Sequence, residues 1–164
     1  MRVPLLVLLG LALLAASASA RFVEKADLVV VQKSESMLYL MREGAAFAAF
    51  PVAFGRNPEG HKQQEGDGRT PEGRYTLDFK NEDSAFHKAI RISYPNEEDM
   101  ARAAARGVEP GGLIMIHGQR NGFDWLSLEF QYSNWTEGCI ALRNEYMDYV
   151  WDAIDEGTLI EIFP

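Results

Sequence analysis

The sequence predicts a single, mostly β domain with a few short helices. Short apolar segments follow one another along the chain and are separated by turn residues. Two later segments alternate apolar and polar residues with the period of two that a half-buried strand shows. Signals for helices are confined to two short segments. Together these observations favour a sheet as the main element of the fold.

The first three predicted strands form a meander. Residues 28–31 and 37–40 are apolar and flank the polar residues 34–36, and residues 47–54 follow a turn at residues 43–44. Strands joined by such short polar connections pair with their neighbours in sequence. We therefore expect these three strands to lie side by side.

Residues 55–73 form a long connection that is rich in glycine and charged residues. A segment this polar does not supply a core element, and loops of this length frequently serve a function. The sequence leaves two interpretations open, a functional loop and an idle surface loop.

Two further strands are predicted after this loop. Tyr75, Leu77 and Phe79 alternate on one face of residues 74–79, and residues 90–94 repeat that period. Both segments add to a β-rich core.

The rest of the chain combines two helices with two strands. Residues 97–106 begin acidic, end basic and precede a glycine, which predicts a helix, and its mostly alanine apolar face places it on the surface. The apolar residues 113–116 predict a buried strand that ends at His117. Asn144 is expected to cap a helix whose apolar residues recur with helical spacing, and residues 159–162 to form the last strand.

A signal peptide is predicted for residues 1–20. Arg2 precedes an apolar run, and Ala18-Ser19-Ala20 is a small-residue cleavage signature. An uncleaved membrane anchor is the alternative, but the run is shorter than the roughly 20 residues that a membrane span needs. We expect an exported protein of the periplasm or cell envelope, with residues 21–164 forming one domain.

Composition narrows the range of functions. The chain has 16 basic and 24 acidic residues and a formal charge of −8, which disfavours nucleic acid as a partner. Its three histidines are far apart, and none has a second ligand at a spacing typical of zinc sites. We therefore expect neither a metal nor another cofactor, and a monomer is the default assumption.

Cys139 is the single cysteine of the chain and forms no internal disulfide. Two interpretations are open, a small buried apolar side chain and a catalytic nucleophile. A nucleophilic thiol needs a nearby base to take its proton, and His117 is compatible with that task. A thiolate activated by His117 would react faster with thiol reagents than a free thiol of ordinary pKa.

The residues around these two positions resemble a known family. The resemblance rests on three segments: His117-Gly118, Thr136-Glu137-Gly138-Cys139-Ile140, and Gly66-Asp67-Gly68-Arg69-Thr70-Pro71-Glu72-Gly73. In combination they are similar to the L,D-transpeptidase catalytic domain of the YkuD type. The likeness runs from about Asp27 to Ile162, nearly the whole chain after the predicted signal peptide.

This resemblance implies a β-sandwich-like fold and acyl transfer on peptidoglycan stem peptides. Cys139 would attack the carbonyl of the third stem residue, release the terminal D-alanine, and pass the acyl group to an amine on a second stem. His117 would act as general base and acid, with a backbone carbonyl near Gly118 orienting its ring. The N–H groups of Gly138 and Cys139 are candidates for stabilising the oxyanion, and Gly138 has the alternative role of allowing a tight turn.

Two positions depart from the commoner family pattern Ser-His-Gly-Cys-x-Arg. Glu137 stands where a histidine is usual, and Ala141 stands where the substrate-anchoring arginine is usual. This variant resembles a subgroup that includes a hydrolase detaching proteins from peptidoglycan. Hydrolysis by the same Cys–His pair is the first alternative function, and a non-catalytic wall-binding module is the second. The acceptor stays open among a second stem, a wall-attached lipoprotein and water.

Other residues are candidates for holding the substrate. Lys62 and Arg69 lie in the long loop of an acidic protein and suit the carboxylates of a stem peptide, with Arg69 preferred. The alternative is that both are solvated charges. Thr136 either positions the thiol or completes a turn, and Trp125 and Trp135 either line a groove or pack under the sheet.

Overall fold

The computed structural model of the protein describes residues 23–123 and 133–164. The predicted signal peptide, residues 1–20, and Trp125 lie outside the described residues. The strands within them are β1 (Leu28–Gln32), β2 (Met37–Arg42), β3 (Ala45–Pro51), β4 (Gly73–Ser84), β5 (His87–Ile92), β6 (Met115–His117), β7 (Ile140–Ala141) and β8 (Thr158–Phe163), and the helices are α1 (Glu97–Ala105) and α2 (Asn144–Ala153).

The described strands form one hydrogen-bonded sheet in the order β3-β2-β1-β8-β4-β5-β6-β7. β8 lies parallel to β1 and antiparallel to β4, so the last strand joins the two halves of the sheet. Paired backbone hydrogen bonds between Ala53 and Ala141 connect the segment after β3 to β7, at the opposite end of that order. The sheet therefore curves back on itself, and the predicted mostly β fold with short helices is confirmed.

The predicted meander of the first three strands is also present. β1 pairs antiparallel with β2, and β2 pairs antiparallel with β3. Val29, Val31, Leu38 and Leu40 are fully buried on one face of this pair of strands, because alternate side chains of a strand point to the same side.

β4 and β5 pair antiparallel with a register shift between Leu77 and Phe79. Tyr75 and Leu77 are buried, but Phe79 is 48% exposed. The prediction that these three side chains share one buried face is therefore wrong for Phe79. A β-bulge inserts one extra residue into a strand and so moves the following side chains to the other face.

β6 begins two residues later than the strand predicted at residues 113–116. Leu113 has a φ of +53° and is 75% exposed, whereas Ile114 and Ile116 are buried. A left-handed backbone does not continue a strand. The strand nevertheless ends at His117, as the sequence predicts.

Both predicted helices form, but α2 starts differently from the prediction. Asn96 caps α1 in a reciprocal capping box with Asp99. The prediction that Asn144 caps α2 is wrong, because Arg143 occupies the N-cap and Asn144 is the first helical residue. Its Oδ1 instead accepts a hydrogen bond from the N–H of Gln119 at 2.7 Å. This contact ties the start of α2 to the segment that follows β6.

α2 covers the sheet with the apolar face that its sequence predicts. Met147, Val150 and Ile154 are fully buried in the hydrophobic core. Within the described residues, no helix combines the length and the apolar character needed to cross a membrane.

Candidate active site

Cys139 and His117 line the same cavity, which has a volume of about 320 Å³. Most of the other side chains around it are aromatic or aliphatic, namely those of Phe86, Ala89, Leu113, Met115 and Trp135. A thiol and an imidazole thus share a largely apolar pocket. Apolar pockets with a few polar groups are the usual form of small-molecule sites.

The pairing of β6 with β7 brings the two residues together. The strands are parallel, with Ile116 opposite Ile140 and His117 opposite Ala141. Cys139 immediately precedes β7, and residues two apart on a strand point to the same face. Cys139 therefore projects on the same side as Ala141 and its partner His117, one strand away.

His117 is oriented by the backbone of its neighbour. Its side chain is buried, and Nδ1 lies 2.6 Å from the carbonyl oxygen of Gly118. A carbonyl can only accept, so the proton of the neutral ring is on Nδ1, and Nε2 keeps its lone pair. Burial lowers the pKa of His117, although the hydrogen bond to Gly118 opposes the shift. The ring is therefore an uncharged base at neutral pH.

Aromatic rings hold the imidazole on two sides. The centroid of Phe86 lies 4.8 Å from that of His117 in a tilted arrangement. The centroid of Trp135 lies 5.7 Å from it with the planes nearly perpendicular. The sequence leaves two interpretations open for Trp135, lining a groove and packing. The structure supports both, because this ring packs against His117 and also lines the cavity.

The thiol of Cys139 is half-buried and points towards the backbone of Leu113. Sγ lies 3.6 Å from the carbonyl oxygen of Leu113. Burial raises the pKa of the Cys139 thiol, while a backbone hydrogen bond from Met115 and the charge of Lys62 oppose the shift. The resting site therefore pairs a neutral thiol with a neutral imidazole.

Thr136 stabilises the turn that carries the cysteine. Its hydroxyl donates to the carbonyl oxygen of Cys139 at 2.7 Å and accepts from the N–H of Gly138 at 3.1 Å. Thr136 thus completes the turn and, in doing so, fixes the position of Cys139. The N–H of Gly138, a candidate oxyanion donor, is engaged by Thr136 in this arrangement.

Two glycines of the motifs occupy positions that have no room for a side chain. Gly138 has a φ of +132°, and a Cβ there would lie 2.6 Å from the carbonyl oxygen of Arg69. A Cβ on Gly118 would lie 2.6 Å from Oδ1 of Asn144. Gly138 therefore allows the backbone of Arg69 to approach closely beside Cys139, and Gly118 allows the side chain of Asn144 to do so beside His117.

The YkuD family model, described as the L,D-transpeptidase catalytic domain, matches residues 26–162. The chain belongs to this family. The match covers nearly all of the described sheet, and it includes both cavity residues, Cys139 and His117. The predicted family is therefore confirmed.

Relatives of this L,D-transpeptidase domain include YafK of Escherichia coli K12, a protein named as a candidate L,D-transpeptidase. The two are 35% identical over 104 residues, which is 62% of this chain and 34% of YafK. The helical cell shape determining protein Pgp2 of Campylobacter jejuni has a similar structure, with a TM-score of 0.63 and 25% identity over 82% of this chain and 46% of Pgp2. The chain thus spans less than half the length of these relatives.

A third relative supports the fold alone. The L,D-transpeptidase of Xylanimonas cellulosilytica has a TM-score of 0.56 at 13% identity, with 85% of this chain and 61% of that chain covered. A mostly β L,D-transpeptidase fold is thus shared even where few residues are identical.

The predicted substrate anchors of the L,D-transpeptidase domain lie apart from the cavity. Lys62 is 3% exposed, and its Nζ donates to Asp67 at 2.8 Å and to the carbonyl oxygen of Gln64 at 3.1 Å. The guanidinium of Arg69 lies 3.5 Å from the carbonyl oxygen of His61. Neither side chain lines the Cys139 cavity, so their contact with substrate stays a prediction.

The long loop at residues 55–73 packs against the turn that carries Cys139. A Cβ on Gly55 would lie 2.1 Å from the carbonyl oxygen of Gly68, and the N–H of Gly55 donates to the buried hydroxyl of Thr70 at 3.2 Å. Gly55 also forms a bridge with Thr136. The loop is therefore part of the structure around the site. The sequence alone does not decide between a functional loop and an idle surface loop.

Sequence reasoning missed several residues of the site, among them Leu113, Phe86 and Arg56. Leu113 and Phe86 line the cavity, and Arg56 forms an ion pair with Glu137, another lining residue. The apolar run predicts a strand at Leu113, and no sequence signal predicts its positive φ. Arg56 follows Gly55, which pairs with the Cys139 turn, and this position has no local sequence signature either.

In residues 23–123 and 133–164, no group of three or more His, Cys, Asp and Glu side chains is arranged to hold a metal ion.

Proposed function

We propose that this domain is an exported cysteine acyltransferase that acts on peptidoglycan stem peptides as an L,D-transpeptidase. The observation that carries the proposal is the shared cavity of Cys139 and His117, with Nδ1 of His117 held by the carbonyl of Gly118. Membership of the L,D-transpeptidase family supports the same reaction. The resemblance of residues 1–20 to a signal peptide supports export.

In the proposed first half-reaction, Nε2 of His117 takes the proton of the Cys139 thiol. Sγ attacks the carbonyl carbon of the third stem residue and forms a thioester. The bond to the terminal D-alanine breaks, and the proton on His117 passes to the departing amine. A neutral imidazole beside a neutral thiol is the starting state that this step requires, and general acid–base catalysis of this kind contributes about 10²–10⁴ in rate.

In the second half-reaction an acceptor resolves the thioester. An amine of a second stem gives a crosslink, and water gives hydrolysis. The same Cys139 and His117 serve both outcomes, so the acceptor determines whether the domain crosslinks or remodels the wall. The description of Pgp2 as a helical cell shape determining protein supports a role in wall architecture.

The test is mass spectrometry of muropeptides after incubation of the purified protein, without residues 1–20, with tetrapeptide-rich peptidoglycan. We expect new crosslinks between third residues with loss of D-alanine. Cys139→Ala should abolish them, and His117→Gln should slow them by about 10²–10⁴. His87→Asn is the matched control, because it removes a partly exposed imidazole at a φ of +66° that asparagine tolerates.

Each alternative outcome has a distinct meaning. Cysteine-dependent cleavage without crosslinks would assign the domain to the hydrolases. Identical products from the wild-type protein and Cys139→Ala would contradict acyl transfer on this substrate and favour a wall-binding module.

A further inference from the structure

One peptide group connects the imidazole of His117 to the side chain of Asn144. Nδ1 of His117 donates to the carbonyl oxygen of Gly118 at 2.6 Å. The N–H of Gln119, which belongs to the same peptide group, donates to Oδ1 of Asn144 at 2.7 Å. This peptide is trans, so its C=O and N–H point in opposite directions within one plane. The imidazole, the peptide and the amide therefore form a continuous chain of hydrogen bonds.

The peptide that follows Gly118 is held differently from the one before it. In the preceding peptide, the carbonyl oxygen of His117 accepts from the N–H of Leu142 at 2.8 Å. The N–H of Gly118 donates to the carbonyl oxygen of Phe86 at 3.0 Å. Both partners there are backbone groups, whereas the next N–H is held by a side chain. The plane of the peptide that orients the imidazole therefore depends on Asn144.

Two features indicate that the start of α2 is built around this contact. Asparagine favours the N-cap, yet the N-cap is Arg143, which makes no side-chain capping bond. The oxygen of Asn144 serves a segment 25 residues away instead. A Cβ on Gly118 would also lie 2.6 Å from that oxygen. The helix thus lacks a side-chain cap, and Gly118 lacks a side chain, where Asn144 meets the peptide.

We propose that Asn144 is a positioning residue, which acts on His117 through the carbonyl group of Gly118. Hydrogen bonds in a chain polarise one another, so the amide oxygen of Asn144 makes this carbonyl a stronger acceptor and fixes its direction. The imidazole proton then stays on Nδ1, and Nε2 keeps the lone pair that takes the thiol proton of Cys139. The inference rests on the proposed acyl transfer and adds the group that orients its base. The described lining of the Cys139 cavity does not include Asn144, so its effect on the reaction is indirect.

Titratable groups lie on two sides of the imidazole. They are Cys139 and Glu137 in the cavity, and the ion-paired cluster of His87, Lys88 and Asp148 on the side of Gly118. Burial lowers the pKa of His117, and the bond to Gly118 raises it. A weaker bond should therefore lower the pKa further, whereas opening the site to water would raise it. These opposite signs separate loss of positioning from general loosening of the site.

The first experiment reads the tautomer of His117 by NMR in the purified protein with isotope-labelled histidine. The nitrogen chemical shifts distinguish a proton on Nδ1 from one on Nε2, and His117→Gln identifies the signal among the three histidines. We expect the wild-type protein to carry the proton on Nδ1 and Asn144→Ala to populate the Nε2 form. Asn144→Asp keeps an acceptor oxygen and suits the dipole at the start of α2, so it should keep the wild-type tautomer.

The second experiment measures D-alanine release from a tetrapeptide donor as a function of pH. We expect Asn144→Ala to lower kcat about tenfold to hundredfold with little change in KM, because a buried hydrogen bond is lost without a contact to substrate. The acidic limb of its kcat/KM profile should move to lower pH, since the pKa of His117 falls. Asn144→Asp should keep most of kcat, and its acidic limb should move to higher pH, because a nearby carboxylate favours the imidazolium.

Asn96→Ala is the matched control. Oδ1 of Asn96 accepts from the N–H of Asp99 at 2.9 Å at the start of α1, so the variant also removes an asparagine oxygen from a backbone N–H. The described lining of the Cys139 cavity includes no residue of α1. We expect a lower melting temperature in Asn96→Ala, with the tautomer, kcat and the pH profile unchanged.

Three results would overturn the assignment. They are a wild-type proton on Nε2, an unchanged tautomer and kcat in Asn144→Ala, and an acidic limb of that variant that moves to higher pH, which would indicate loosening of the site. Should Asn144→Ala fail to fold, loss of the tautomer and of kcat in Asn144→Asp would contradict the assignment, and their retention would support it. Absence of D-alanine release by the wild-type protein would contradict the proposed function, whereas the tautomer measurement would still test the contact.

Discussion

At the scale of single residues, the protonation of the Cys–His pair is the feature that governs reactivity. Burial lowers the pKa of His117 and raises the pKa of Cys139. The two groups are therefore uncharged at neutral pH, and the proposed mechanism forms the thiolate only when His117 takes the proton. Slow reaction with a thiol reagent at neutral pH consequently does not separate a catalytic domain from a wall-binding module. Turnover of a stem peptide does separate them.

The raised pKa of Cys139 predicts the pH dependence of alkylation. The rate with iodoacetamide depends on the thiolate fraction. Because the pKa lies above the ordinary 9.0, we expect the rate to be low at pH 7 and to keep rising beyond pH 9. The chain has one cysteine, so whole-protein mass spectrometry reports Cys139 alone.

His117→Gln and Cys139→Ala provide the controls for this measurement. The His117 variant should give nearly the same alkylation profile, since the imidazole carries no charge at neutral pH in the resting site. Cys139→Ala should give no adduct. A rate plateau below pH 8 that disappears in His117→Gln would instead indicate a resting thiolate–imidazolium pair.

At the scale of elements, α1 docks on the sheet and on the long loop through one buried carboxylate. Asp99 accepts a hydrogen bond from the hydroxyl of Tyr75 at 2.9 Å and lies 3.0 Å from Nε2 of His61. Arg102, on the next turn of α1, also contacts it. Burial alone would raise the pKa of Asp99, but the hydrogen bonds, led by that of His61, lower it overall. His61 is thus a structural residue of the loop.

We expect Asp99→Asn to lower the free energy of unfolding by about 2 kcal/mol at pH 7, because the amide loses charge-assisted bonds and leaves partners unsatisfied. The folded-state pKa of Asp99 lies below the ordinary 3.8. Its stabilising effect is therefore present above pH 3.8 and is lost as the pH falls through the folded pKa. The difference between wild type and variant in urea unfolding should shrink below about pH 4.

Asp78→Asn is the matched control for this prediction. Asp78 forms a surface pair with Arg91 at 2.8 Å, and its side chain is 33% exposed. Removing a surface ion pair should cost less than about 1 kcal/mol. Equal losses in the two variants would show that Asp99 does not anchor α1.

At the scale of the whole molecule, the last strand completes the sheet. β8 fills the position between β1 and β4 and pairs with both, which adds to the connection that Ala53 makes with Ala141 at the other end of the strand order. Ile160 of β8 is fully buried, whereas Leu159 on its other face is 43% exposed. β8 therefore contributes strongly to joining the site-bearing half of the sheet to the first three strands.

A pair of neighbouring substitutions tests the register of β8. We expect Ile160→Ala to lower the free energy of unfolding by about 2–5 kcal/mol, because it leaves a cavity in the core. Leu159→Ala should cost less than about 1 kcal/mol. Urea unfolding followed by circular dichroism measures both. Equal or reversed costs would contradict the register, since a slip by one residue exchanges the two faces.

The strands of the meander could be predicted because their apolar residues and turns are neighbours in sequence. The prediction for Phe79 is wrong because a bulge changes the face of a strand without a local signal. The prediction for Asn144 is wrong because its partner is Gln119, which belongs to a different segment. A local pattern is therefore an incomplete guide where pairing with another segment decides the position of a side chain.

The candidate chemistry could be inferred from residue types and short motifs alone. A single cysteine, a histidine closing an apolar run and their neighbouring glycines identify Cys139 and His117 as the candidate pair. The tertiary structure alone decides the burial of Lys62, the contact of Arg56 with Glu137 and the position of β8 between β1 and β4. It also decides that the pKa of His117 is lowered and that the pKa of Cys139 is raised. These properties depend on strand pairing between segments far apart in the chain and on the burial of side chains that this pairing causes. A local sequence pattern determines neither of them.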